Sequence, residues 1–222
     1  MHRNFHREID KLQQTLLTMS SIVEDRVRKA CSVIESEDVE LAKKIIQSDW
    51  EIDEMEIEIE EECLKIMALY QPVAKDLRFL VTVIKINNEM ERIGDYAVQI
   101  AKRVKRLSKF GSPAFSYNFQ EMTDKVMREL RMSIDALVDR DVEMAKQIFL
   151  LDQDINDLRS EAYKLIIAEM GSTPDDSTSL LNLYLVVRHL ERIADRATNI
   201  AEDIIYMVEG DIVRKKLDFD LN

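Results

Sequence analysis

The sequence predicts an all-α fold built as two tandem antiparallel three-helix bundles, and three observations carry that prediction. Apolar residues recur in alternating steps of three and four along most of the chain, the period of a helix with one buried stripe. Two long phrases occur twice: Glu91–Ala101 and Glu191–Ala201 share seven of eleven residues, and Asp38–Asp49 and Asp141–Asp152 share seven of twelve. The offset between copies slips from 103 to 100, so the chain is a tandem duplication whose second half is shorter in an intervening loop. Finally, four glycines and three prolines in 222 residues leave little room for irregular structure.

The first helix is predicted from about Phe5 to Glu35, with Ile9, Leu12, Leu16, Met19, Val23, Val27, Ala30 and Ile34 inward. Ser36-Glu37-Asp38 turns the chain and caps a second helix running unbroken to about Leu69. Within it, the acid-rich run Glu51–Glu62 alternates enough to suggest a strand. However, Ile52, Met55, Ile59, Cys63 and Ile66 keep the helical step, and so many glutamates favour helix. The run itself reads as a solvated face. Gln71-Pro72 breaks the helix, because a residue before proline is pushed out of the α region.

The third helix, about Val73–Lys109, has the seam Val83, Ile86, Met90, Ile93, Ala97, Ile100, Val104 and Leu107. Its basic end, Lys102-Arg103-Val104-Lys105-Arg106, complements the helix dipole. Phe110-Gly111-Ser112-Pro113-Ala114 is the linker, dividing the chain into 1–110 and 111–222. The second half repeats the plan, with helices at about Asn118–Asp139, Val142–Met170 and from Ser177 to a stop at Gly210. Asp211–Asn222 reads as a polar tail.

Composition narrows the function classes. The 31 Lys and Arg against 43 Asp and Glu give a net charge of -12, which repels nucleic acid and favours cations or basic protein surfaces. The N-terminus lacks the apolar core of a signal peptide, and no apolar run approaches the ~18 residues needed to cross a bilayer. A cytoplasmic protein, touching membranes only through partners, is the expectation. Cys31 and Cys63 align with Ile134 and Ile166 and are read as small core residues.

Candidate chemistry lies on the third and sixth helices. Glu191, Asp195, Asn199 and Asp203 step by four along one flank, and Glu91 and Asp95 do the same in the first copy. Like charges at that spacing repel, so either water and arginines screen them or a cation sits on them. Carboxylate and amide oxygens are hard donors suited to iron, Mn or Mg. The plain alternative is a pair of i,i+3 salt bridges, Arg92 to Asp95 and Arg192 to Asp195. His189 lies roughly 200° round the helix from Glu191 and cannot share its ion. Gly94, matched by Ala194, leaves space for a close helix crossing or for an ion with its waters. No Gly-rich phosphate loop and no nucleophile beside a histidine base mark an enzyme.

Taken together, the duplication, Gln71-Pro72-Val73-Ala74-Lys75-Asp76-Leu77-Arg78, Glu91-Arg92-Ile93-Gly94-Asp95 and Glu191-Arg192-Ile193-Ala194-Asp195-Arg196 with Asn199 and Asp203 resemble the PhoU family over nearly the whole chain. The resemblance implies a regulator of phosphate uptake that represses phosphate-starvation signalling. It would do so by contacting the ATPase of a Pst-type phosphate ABC transporter and a membrane sensor histidine kinase. It further implies multinuclear iron, or other metal ions such as Mn, Mg, Ni or Zn, held by Glu91, Asp95, Glu191, Asp195, Asn199 and Asp203, and it implies no enzymatic activity. Gln99 and Arg103 stand where Asn199 and Asp203 stand, so the second-half site is expected to bind more readily. A homodimer is expected from the long amphipathic helices. Two rival readings are a helical interaction module without metal and a metal-dependent hydrolase.

Overall fold

A computed structural model describes residues 2–110, 113, 115 and 117–213, with His2 and Arg3 as backbone alone. The helices are α1 (His2–Ser36), α2 (Val39–Gln47), α3 (Trp50–Tyr70), α4 (Lys75–Phe110), α5 (Phe119–Asp139), α6 (Val142–Ser172) and α7 (Ser177–Glu209). A 3-10 turn, Pro174–Asp176, precedes α7. The six expected rods are present, the second of them broken into α2 and α3. Gly111, Ser112 and Ala114 of the expected linker, and residues 214–222 of the expected tail, lie outside the described residues.

Local chemistry sets the helix ends. The Asp38 carboxylate accepts from the Glu40 and Leu41 amides at 2.9 and 3.0 Å, and its duplicate Asp141 accepts from the Met144 amide at 3.0 Å. Each satisfies amides that the first helical turn leaves without partners. Gly210 ends α7 with φ +89°, where any Cβ would also run into the Arg78 guanidinium. That close approach lets Arg78 donate to the Met207 carbonyl at 3.2 Å and tie the start of α4 to the end of α7.

The break between α2 and α3 corrects the expected continuous helix, and Arg26 of α1 supplies its physical reason. Arg26 is buried, and its guanidinium donates to the carbonyls of Ser48 and Asp49. The same carbonyls accept from the Glu51 and Ile52 amides at 3.2 Å each, so Arg26 fills their second acceptor positions and holds the chain in this tighter turn. In the second half the position matching Arg26 is Glu129, whose carboxylate cannot serve a carbonyl, and α6 passes the matching point unbroken.

The antiparallel pair α4 and α7 forms the spine, and their packing against each other is the most extensive in the molecule. One continuous core runs through both halves, including Ile86, Met90, Ile93 and Ile100 of α4 and Val186, Leu190, Ile193 and Ile200 of α7. Each of these seam residues was legible from the three-four spacing. Among the described residues, no helix is long and apolar enough to cross a membrane.

Candidate functional site

Both copies of the motif lie on the spine, but the helices beside them differ. In the first half α3 crosses α4 at Gly94, where an added Cβ would meet Ile52 Cδ1 at 2.8 Å. Gly94 therefore serves the close helix crossing. That crossing carries Asp49, Asp53 and Glu56 alongside Glu91 and Asp95. Glu91 is half-buried, and burial, then the charges of Asp95, Glu56 and Asp53, push its carboxyl up to about 7, against a smaller pull from Arg92. Asp49 is raised by burial and by Asp95 and Asp53, with Arg26 opposing.

Asp49, Asp53 and Glu56 were not singled out from sequence. The solvated face that the sequence predicts for the acidic run holds for Glu54, Glu58, Glu60 and Glu61, all exposed, but not for Glu56, which is half-buried and whose charge acts on the Glu91 carboxyl. One signal was available: Asp49 and Asp53 have the same four-residue spacing as the other pairs, and Asp49 is among the residues shared with the second copy.

In the second half, Arg188 donates to both carboxylate oxygens of the buried Glu191, each at 2.8 Å, and Arg159 stands 3.6 Å from one of them. Arg159 is the duplicate of Glu56, and Asn156 that of Asp53. Burial still raises the Glu191 carboxyl above the ordinary value, with the arginines opposing. Asp195, partly buried, adds the neighbouring negative charge.

Asn199 and Asp203 do not join Glu191. Twelve residues separate Glu191 from Asp203, about 18 Å along a helix. They reach α4 instead: Asn199 donates to Glu89 at 3.2 Å, and Asp203 accepts from Lys85 at 2.8 Å. Glu89 also receives Arg196 at 3.2 Å, and Glu89, Asn199 and Asp203 line a cleft of 540 Å³ with Lys85, Arg92 and Tyr206. Arg103, expected near the first-half acids, lies instead by His189 of α7, whose ring stacks on Tyr96 at 5.9 Å. Burial and the charges of Arg103, Arg188 and Arg192 bring His189 down to about 4, so it is neutral at physiological pH.

The six candidates thus occupy three places: Glu91 with Asp95, Glu191 with Asp195, and Asn199 with Asp203. Among the described residues, no three His, Cys, Asp or Glu side chains stand close enough to hold one ion as placed. The first-half group nevertheless has the chemistry for a hard cation, with carboxylates in excess and Asp53 and Asp95 exposed and free to turn toward Glu91. The second-half group does not, because two guanidinium groups already occupy Glu191. Both cysteines are buried, with thiols pushed up to about 12, which removes them as ligands.

A family model for the PhoU domain matches the chain twice, at residues 16–104 and 119–204. The chain belongs to the PhoU family. It is 33% identical over 207 residues to a phosphate-specific transport system accessory protein PhoU homolog of Clostridium acetobutylicum, covering 93% of this chain and 94% of that one. The crystal structure of PhoU from Pseudomonas aeruginosa matches with a TM-score of 0.90 at 32% identity, covering 93% of this chain and 100% of that one. The phosphate transport system regulatory protein PhoU from Streptococcus pneumoniae matches with a TM-score of 0.84 at 27% identity, over 95% and 99%. The paired PhoU domains coincide with the duplication read from Glu91–Ala101 and Glu191–Ala201, and each ends on a spine helix.

Proposed function

We propose that this chain is a regulatory accessory protein of a phosphate-specific transport system, holding phosphate-starvation signalling down when phosphate is ample. It acts by contact, with the ATPase of the transporter and with a membrane sensor histidine kinase. The observation that carries the reading is the doubled PhoU match over nearly the whole chain, together with relatives named as accessory proteins of that system. The test is complementation of a bacterium lacking its own family member, read by a phosphate-starvation reporter in phosphate-rich medium. The expected result is restored repression; a reporter that stays fully on would overturn the reading.

A cation is part of the proposal, and the first half is where it sits. Asp49, Asp53, Glu91 and Asp95 would hold iron or another hard divalent ion, which would neutralise the repelling carboxylates and pin α3 against α4. Because burial and the neighbouring carboxylates push the Glu91 carboxyl up to about 7, it is about half protonated at neutral pH, and metal uptake there releases that fraction of a proton.

A further inference from the structure

Trp50, Ile57 and Leu64 stand 56%, 55% and 52% exposed along α3. Steps of seven residues nearly close two helical turns, so the three side chains form one row about 21 Å long. Single exposed apolar side chains are ordinary on a protein surface, whereas an aligned row, one member being the chain's sole tryptophan, marks a contact face. The row belongs to the first half: Gln153, Ser160 and Ile167 hold the matching positions of α6.

Its borders indicate what covers it. Glu54, Glu58 and Glu61 are exposed beside the row, and none forms an ion pair among the described residues. A second copy laid on this face would set carboxylates against carboxylates, and an anionic membrane would be repelled for the same reason.

We infer that the Trp50–Ile57–Leu64 row is a docking face for a basic amphipathic helix of a partner protein. The partner's apolar side chains cover the row, while lysines or arginines lay their stems over Ile57 and Leu64 and bring their charges to Glu54, Glu58 and Glu61. Apolar contact supplies the affinity, and the carboxylates set orientation and speed of association. The inference rests on the reading of this chain as a regulator that acts by contact.

Trp50 makes the test direct. The full chain is titrated with a synthetic leucine/lysine peptide patterned as an amphipathic helix, and tryptophan emission is followed. The expected result is a saturable blue shift, weakened at least about tenfold by Ile57→Gln with Leu64→Gln and weakened further by salt. Three results would each overturn the proposal: no shift, equal binding of a scrambled peptide of the same composition, or unchanged binding by the double variant. Sedimentation showing a dimer that the double variant loses would also overturn it, by making a second copy the occupant. Failure here with reporter repression intact leaves the contact reading standing on another surface; loss of both removes it.

Discussion

Around Glu91 the neighbouring carboxylates are Asp53, Glu56 and Asp95, whereas around the matching Glu191 stand Arg159, Arg188 and Asp195. The two surroundings descend from one duplicated plan and share helix pitch, seam and carboxylate spacing. What differs is the charge of a few side chains, on the flanking helices and at Arg188 of α7, where the first copy has Asn88. Arg26 becomes Glu129 and Glu56 becomes Arg159, a reversal of charge on both helices that pack beside the motif. Duplication thus preserved the scaffold of a carboxylate pair while its neighbours turned one copy into an electronegative cluster and the other into an internally compensated ion pair. The presence of Glu-x-x-x-Asp alone does not say which has occurred.

The largest expected effect comes from removing Arg26, the buried cation beside that cluster. Arg26→Met removes the second donor to the Ser48 and Asp49 carbonyls and the cation beside the Asp49 carboxylate, and should cost about 3 kcal/mol, two hydrogen bonds from a charged group at about 1.5 kcal/mol each. Urea unfolding measures it. Arg188→Met in the second half should cost only about 1.5 kcal/mol, the scale of a lost hydrogen bond to a charged group, because Arg159 still faces Glu191. Equal losses would mean that the two halves are stabilised alike.

A smaller effect is a pH dependence. The Glu91 carboxyl sits at about 7 in the folded protein against an ordinary 4.5. The fold therefore favours its protonated form, giving stability that is full below about 4.5 and lost as pH rises through 7. Melting temperature in metal-free buffer should fall between pH 5 and pH 8. In Glu91→Gln that part of the decline should vanish, leaving the variant more stable than wild type at the upper end. A profile unchanged by the substitution would show that the acids do not burden one another.

The fold was legible in the sequence because seams and caps are local signals. Met90, Ile93, Leu190 and Ile193 declare their burial by spacing, and Asp38, Asp141 and Gly210 announce helix ends by their own chemistry. The break at Ser48 was not legible, since it depends on Arg26 reaching across from another helix. The site was half legible for the same reason. Glu91 and Asp95 share a helix, so pitch reveals their pairing, but Asp53 and Glu56 join them only through a crossing between helices. Arg159 on Glu191 and Lys85 on Asp203 likewise reflect which faces meet, whereas Arg188 stands three residues before Glu191 on α7 itself and was legible from spacing. On this distribution of charge we propose the first half as the cation's place, where the sequence-based expectation favoured the second.

The smallest effect concerns the crossing itself. Gly94→Ala gains about 1 kcal/mol of helix propensity and forces the Ile52 methyl to move, so unfolding stability should change by less than about 1 kcal/mol. Gly94→Val, which thrusts a branched side chain at Ile52, should cost about 1–3 kcal/mol. It should also weaken any cation site that needs α3 close to α4. A valine variant with unchanged stability would place the crossing elsewhere.

Calorimetric titration of the full chain with manganese, at a pH just above 7, tests the contrast between the two copies most directly. Wild type and Asp195→Ala with Asp203→Ala should bind alike, whereas Asp53→Asn with Asp95→Asn should lose the heat of binding. Binding that survives the first-half substitutions and disappears with the second-half ones would contradict the account.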